Sequence, residues 1–351
     1  MKKKNIGILC GGKSAEHEIS LLSTKSILEA IDRDKYNVHL IGIDKQGHWY
    51  LNEKHELLSQ DSNPDCISLN NLEENKICFF PGENKIHLPN QKSSIALDIV
   101  FPVLHGPFGE DGSVQGLLSL LGVPFVGAGV LGSAVGMDKD VMKRLLKEAG
   151  FPVANFIVVQ RRELFSLSYQ DIVSRLGDVF FVKPANMGSS IGIHKVEAES
   201  QFLYALKDAT QYDDKIIMEE FIQAREIEVS VLGNKDPIAS LPGEIVPHND
   251  FYSYRAKYLD EKATALDIPA VLSQSITEKF QKLAKEVFLC LNCKGMARID
   301  FFMDQQEKIW INEINTIPGF TKISMYPKLW EVSGISYNSL LDKLIDSAKE
   351  A

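Results

Sequence analysis

The sequence has no long apolar run, no excess of positive charge and few cysteines, and each shortage removes a class of protein. No hydrophobic stretch approaches the ~18 residues of a membrane-spanning helix. Ile6–Cys10, behind Met1-Lys2-Lys3-Lys4, is too short for the apolar core of a secretory signal. The formal net charge of -9 disfavours broad binding to nucleic acid or anionic membranes, while leaving room for a local cluster of lysines around a polyanion. Five cysteines, an odd number scattered over 351 residues, fit a reducing cytoplasm rather than a disulfide scaffold. Cys290 and Cys293 form a C-x-x-C at the end of an apolar helical pattern, and with no second pair nearby a structural reading is preferred. Repeats of 20–50 residues and low-complexity tracts are absent as well. What is present, 44% hydrophobic and 24% charged residues, is the composition of a soluble globular chain with room for two or three domains.

Periodicity gives the organisation. Ile6–Cys10 reads as a buried strand, Gly11-Gly12 as a turn, Ile19–Ile31 as a helix and Val38–Ile43 as a second strand, a β-α-β start. Residues 52–94 carry little pattern and are predicted to be peripheral. Ile95–Leu104 reads as another buried strand, ending in the loop His105-Gly-Pro-Phe-Gly-Glu-Asp-Gly112. Such loops at strand ends are where open α/β sheets bind ligands. A middle segment holds a helix from Lys139 to Ala149, strands at Phe156–Val159 and Val179–Lys183, the loop Asn186–Gly192 and a helix near Ala198–Ala209. The last segment alternates at Glu226–Val231, then offers a long helix at Ser273–Leu291 and strands at Gly295–Met303 and Lys308–Asn315. The expected fold class is α/β, in three parts: 1–106, 107–202 and 203–351.

One tempting motif is set aside. Gly7-Ile-Leu-Cys-Gly-Gly12-Lys13-Ser14 matches the G-x4-G-K-[ST] phosphate loop literally. A phosphate loop needs a buried strand ahead of its first glycine, and only the lysine-rich Met1–Ile6 is available. Gly7 therefore belongs inside the strand. Glu16 stands at the start of the following helix, where an acidic side chain complements the helix dipole; it is equally placed to face a substrate ammonium. Lys183 ends an apolar strand ahead of a loop of small residues whose backbone N–H groups suit phosphate oxygens. Lys139 begins a helix against the dipole, an unfavourable placement that points to a ligand.

The sharpest pattern is Arg298-Ile-Asp300 with Glu313-Ile-Asn315. Side chains alternate along a strand, so each pair shares one face. If Asp304–Glu307 is a four-residue hairpin loop, Arg298 pairs with Glu313 and all four polar groups fall on the same face. Two carboxylates and an amide oxygen suit a hard cation such as Mg²⁺.

In order along the chain, these segments resemble the D-alanine–D-alanine ligase family of the ATP-grasp superfamily. The carrying stretches are Gly11–Ser20, Leu104-His-Gly106 with Gly109-Glu-Asp-Gly112, Met137-Asp-Lys139, Val182-Lys-Pro184, Gly188–Gly192, Tyr254–Tyr258, Ala297–Asp300 and Asn312–Thr321. The resemblance implies an ATP-grasp fold behind a Rossmann-like N-terminal domain. It implies two D-alanines and ATP as substrates, a D-alanyl phosphate intermediate, and a dipeptide product destined for peptidoglycan. It also implies two Mg²⁺ ions (or Mn²⁺), a cytoplasmic homodimer, and no nucleic-acid or membrane partner.

By the same resemblance, Lys139 and Lys183 meet ATP phosphates, while Glu219 and Glu226 hold the adenine amino group and the ribose. Asp300, Glu313 and Asn315 bind the metals. Glu16 takes the ammonium of the first D-alanine, with His105 close by, and Arg298 and the Gly319 N–H stabilise the tetrahedral oxyanion. Ser324 and Lys257 hold the carboxylate of the second D-alanine. Tyr258 bonds to Glu16 and Ser189 to shut the site. The chain departs from the usual loop wording at Ser253 and Arg255, and carries Ala224-Arg225 before Glu226. The competing readings are a ligase of another D-amino acid or D-hydroxy acid, and a non-catalytic sensor on the same scaffold.

Overall fold

The computed structural model describes residues 2–52, 67–69, 71–189, 191–247 and 264–350. Strand β1 (Lys4–Gly11) lies inside the first sheet because Ile6, Ile8, Leu9 and Cys10 are apolar on both faces. Burial on both faces is the habit of parallel strands, and β1 pairs in parallel with β2 (Tyr36–Ile43) and with β6 (Ile99–Pro102). The antiparallel β3 (Trp49–Asn52) closes one edge, giving the order β3-β2-β1-β6. Gly7 pairs with His39 and Val100 in mid-strand, so it cannot open a phosphate loop.

The expected strand Ile95–Leu104 is split. Its start forms β5 (Ser93–Ala96), paired with β4 (Lys85–Leu88) in a small hairpin, and its remainder is β6. Asp98, at the break, accepts a hydrogen bond from the Asn5 N–H at 2.7 Å. Helices α1 (His17–Ala30) and α2 (Ser113–Leu121) cover opposite faces of the first sheet.

Helices α3 (Val130–Met137) and α4 (Lys139–Glu148) lead to the second sheet, built from β7 (Phe156–Gln160), β8 (Phe180–Pro184), β9 (His194–Val196) and β10 (Lys215–Glu220). It is antiparallel, in the order β7-β10-β8-β9, with α5 (Tyr169–Leu176) and α6 (Glu199–Ala209) packed on it. Two elements fall on the far side of the expected boundaries. Helix α2, beyond 106, packs Val114, Leu118 and Leu121 onto the first sheet, and β10, beyond 202, pairs with both β7 and β8.

The third sheet holds β11 (Arg225–Gly233), β12 (Ile238–Ala239), β13 (Gly243–Pro247), β14 (Thr264–Asp267), β15 (Gly295–Met303) and β16 (Ile309–Asn315). Alternation in β11 turns Ile227, Val229 and Val231 toward Phe280, Val287 and Phe288 of α7 (Gln274–Cys290). Cys290 at the end of α7 is exposed and Cys293 is buried, and both are free thiols. Helices α8 (Met325–Val332) and α9 (Tyr337–Ser347) carry Tyr326, Trp330, Leu340 and Leu344 into one core with Ile6, Ile8 and Cys10. That shared core fixes the first sheet against the third, and so positions the strand-end loops between them.

The β15–β16 register differs from the expected one. Near the turn Met303 pairs with Ile309, leaving a five-residue loop, and a bulge then interrupts the ladder between Asp300 and Phe301. Arg298 consequently faces Asn315, and Asp300 faces Glu313, rather than Arg298 facing Glu313. Each irregularity alone would shift the pairing by one residue and flip faces. Together they restore the face, and all four polar groups remain on one side.

Candidate active site

The outward faces of the second and third sheets meet across a cleft of about 400 Å³, lined among others by Lys139, Lys183, Ser189, Glu219, Glu226 and Glu313. Its floor is unusually charged for so little solvent. Lys183, on β8, places its ammonium 2.6 Å from Glu219 Oε2. Lys143, on α4, places its own 3.2 Å from Glu219 Oε1, with a side chain only 1% exposed. Buried charge is tolerated when it is paired, and here one carboxylate serves two ammonium groups. Burial alone would raise the Glu219 pKa, but Lys143 and Lys183 outweigh it and hold the carboxyl down at about 2. Burial likewise opposes the charge on Lys183, yet Glu219, Glu313 and Glu226 keep its pKa above the ordinary value. For Lys143, burial wins and the pKa is lowered.

Lys139 starts α4, as the sequence indicated. The adverse dipole is answered by Asp138, which caps the helix by accepting from the N–H groups of Asp140 and Val141. The Lys139 ammonium leaves the helix end altogether: it donates to Met187 O at 2.7 Å and lies 3.4 Å from Glu313 Oε2. Arg225, the departure noted before Glu226, pairs with both oxygens of Glu244 at the cleft rim.

Across the same face, Arg298 donates from Nε and Nη2 to the two oxygens of Asp300, both at 2.8 Å. Its Nε is also 2.8 Å from Glu228 Oε2. Asn315 Nδ2 donates to Asp300 Oδ2 at 2.9 Å. Among the described residues no three His, Cys, Asp or Glu side chains converge as a metal cage. The available set is two cross-strand carboxylates, Asp300 and Glu313, with the amide of Asn315. That donor chemistry fits a hard cation whose remaining ligands are water and substrate phosphate oxygens, the habit of Mg²⁺.

The other end of the site is built from loops after β1 and β6. Gly106 has a φ of +76°, and a Cβ there would stand 2.7 Å from Glu16 Oε2. Ser189, itself at a φ of +53°, donates its hydroxyl to Glu16 Oε1. Ser14 Oγ donates to His105 O and accepts from the Glu16 N–H, tying the two loops together.

His105 is buried. Its Nδ1 bonds to Ile317 O at 3.0 Å and its Nε2 lies 3.3 Å from Ser23 Oγ. Burial, reinforced by nearby Arg298, pushes its pKa down to about 4, so the ring is neutral. Gly319 is held between two anchored neighbours. Ile317 donates its N–H to Glu110 Oε1 at 3.2 Å, and Phe320 donates to Ser23 Oγ at 3.2 Å. Ser324, at the start of α8, bonds through Oγ to the N–H and hydroxyl of Thr321. Lys257 and Tyr258, with Ser253 and Arg255, lie outside the described residues.

Three charged groups of this site were missed in the sequence. Lys143 follows Lys139 by one helical turn, inside the buried stripe Lys139, Met142, Lys143, Leu146. A lysine within such a stripe is a legible signal. Glu228 shares the outward face of β11 with Glu226, which alternation alone reveals. Glu110 carries no periodic signal.

Two antiparallel sheets closing on a lysine-lined cleft, with a carboxylate face at one end, define an ATP-grasp ligase. Comparison with known proteins narrows the class. The family model described as D-ala D-ala ligase N-terminus matches residues 5–128, and the one described as D-ala D-ala ligase C-terminus matches 145–346. The D-alanine–D-alanine ligase of Oceanobacillus iheyensis is 52% identical over 351 residues, spanning 99% of this chain and 96% of its own. D-alanine–D-alanine ligase A of Escherichia coli K12 is 45% identical over 353 residues, spanning 100% of this chain and 97% of its own.

Among solved structures, the D-alanine–D-alanine ligase from Coxiella burnetii has a TM-score of 0.86 at 40% identity, covering 100% of this chain and 95% of that one. The VanG D-Ala:D-Ser ligase from Enterococcus faecalis has a TM-score of 0.86 at 33% identity, covering 99% and 100%. The chain belongs to the D-alanine–D-alanine ligase family, whose members are ATP-dependent and form peptide bonds.

Proposed function

We propose that the chain condenses two D-alanines to D-alanyl-D-alanine with ATP, making the dipeptide used for peptidoglycan synthesis in the cytoplasm. The observation that carries this reading is the hydrogen bond from Ser189 to Glu16, which joins the phosphate loop to an ammonium-ready carboxylate. A carboxylate oxygen of the first D-alanine attacks the γ-phosphorus, and ADP leaves with the bridging electrons. The ammonium of the second D-alanine gives a proton to solvent, the resulting amine attacks the acyl carbonyl, and as the tetrahedral intermediate collapses the nitrogen loses a second proton to solvent and inorganic phosphate departs.

Lys139 and Lys183 are assigned to the phosphates, and Glu219 and Glu226 to the adenosine. Asp300, Glu313 and Asn315 would hold Mg²⁺, which when bound screens the charge of the phosphate oxygens. Glu16 holds the first ammonium beside neutral His105. Arg298 and the Gly319 N–H face the oxyanion of the tetrahedral intermediate. Ser324, with Lys257, receives the second carboxylate. Tyr258 completes the closure with Glu16 and Ser189, excluding water that would hydrolyse the acyl phosphate. We expect a homodimer from the family likeness, to be checked by light scattering of the full chain.

The test is phosphate release from ATP and Mg²⁺ with D-alanine, L-alanine, D-serine or D-lactate, the product read by mass. D-alanine alone should support release and yield a dipeptide. Equal release with L-alanine would sink the reading, and a mixed product with D-serine or D-lactate would move it to the other ligase class.

A further inference from the structure

Glu110 has no part in the chemistry set out above, yet it occupies the junction of the two halves of the site. Its Oε2 accepts the Gly106 N–H at 2.7 Å, and its Oε1 accepts the Ile317 N–H at 3.2 Å. Gly106 is the residue pressed against Glu16 in the first loop. Ile317 precedes Pro318-Gly319 in the loop after β16. One carboxylate therefore spans from the amino-acid loop to the loop that sets the Gly319 amide. Ile317 is gripped from both sides, its N–H by Glu110 and its carbonyl by His105.

We propose that Glu110 is a positioning residue that couples an ammonium bound at Glu16 to the placement of the Gly319 N–H. The coupling works through charge. An ionised carboxylate accepts N–H bonds roughly twice as strongly as a neutral acceptor. In the ligand-free protein that ionised state is opposed: burial, then the negative charge of Glu16, raises the Glu110 pKa to about 8, against the pull of the two N–H groups and Lys139. The other charged or titratable neighbours are Asp111, turned to the N–H groups of Phe108 and Ser113, neutral His105, and Arg298 beyond it. An ammonium at Glu16 cancels the like charge, so Glu110 gives its proton to solvent and tightens on both N–H groups. Binding and proton release are linked equilibria. Occupancy of the first amino-acid site thereby readies the oxyanion donor before phosphate transfer creates the acyl carbonyl it will serve.

This inference rests on Glu16 as the ammonium site, and the experiment separates the two. D-alanine is titrated into the full-length protein with Mg²⁺ and a non-transferable ATP analogue at pH 7, in two buffers of different ionisation heat. Wild type should release protons as the first D-alanine binds. Glu110→Gln, whose amide can accept only one of the two N–H groups, should release none. Its kcat should fall by about 10- to 100-fold with KM for ATP within about twofold, as expected for a lost transition-state contact. Its kcat/KM for D-alanine should also lose the limb near pH 8 that belongs to the ligand-free protein. Glu110→Asp, charged but one methylene too short to span both loops, should keep the proton release and still lose kcat. Unchanged release and kcat in Glu110→Gln would overturn the coupling, as would wild-type kcat in Glu110→Asp. Glu16→Gln that binds D-alanine like wild type would instead overturn the reading of Glu16.

Discussion

At the end of the cleft that we assign to the nucleotide, Lys143, Lys183 and Glu219 meet as nearly dry charges, while at the end that we assign to the amino acids His105, Glu110 and Ser23 meet backbone groups of the 316–321 loop. In the first arrangement two ammonium groups share one carboxylate, Glu219, so lysine charge is held in place in the cleft. The second is a joint between two sheets, and its strength lies in directional hydrogen bonds. Substitutions should therefore separate by end: charge changes in the first should move nucleotide parameters, and changes in the second should move turnover and amino-acid parameters.

The largest effect is expected at Arg298, which we assign to the oxyanion of the reacting centre. Arg298→Ala should lower kcat by ~10²–10³. It also removes the guanidinium partner of Asp300 and Glu228, both almost wholly buried, and should lower stability by about 3–5 kcal/mol. Turnover normalised to the folded fraction, beside nucleotide binding by calorimetry, distinguishes the two effects. Wild-type turnover in the folded fraction would remove Arg298 from the chemistry.

His105 tests the joint through pH. Its folded pKa of about 4 lies below the 6.5 of a free imidazole, so the unfolded chain takes the proton first as pH falls. Its contribution is whole above pH 6.5 and is lost between 6.5 and 4, at most about 3 kcal/mol. Urea midpoints should fall over that window in wild type and fall less in His105→Gln. Parallel curves would mean that the ring does not titrate this way.

Lys143→Met should raise KM for ATP about tenfold, equivalent to about 1.4 kcal/mol, and leave KM for D-alanine alone. A shift in D-alanine instead would break the division between the ends. Ser189→Ala, which removes one charge-assisted hydrogen bond, should cost about tenfold in kcat/KM for D-alanine. Steady-state kinetics with each substrate varied in turn checks both.

Much of this was legible beforehand, for identifiable reasons. The polar face of β15 and β16 followed from alternation, and survived a wrong register because a longer turn and a bulge shifted the pairing by two in total. Gly7 was placed inside β1 because only the lysine-rich Met1–Ile6 precedes it. The β4–β5 hairpin was lost because strands of four residues with two buried side chains, Ile86 and Leu88, leave too short a period to detect. Glu110 lay within the Gly109–Gly112 stretch that carried the resemblance but received no role, because its partners are backbone groups, one of them more than two hundred residues away. No spacing rule reports such contacts.

The most direct measurement follows oxygen across the junction between the two ends. With D-alanine labelled with ¹⁸O in both carboxylate oxygens, attack on the γ-phosphorus transfers one labelled oxygen to phosphate. Mass analysis of the released phosphate should show one ¹⁸O per dipeptide formed. Unlabelled phosphate accompanying dipeptide would contradict an acyl phosphate and, with it, the roles given to both ends of the cleft.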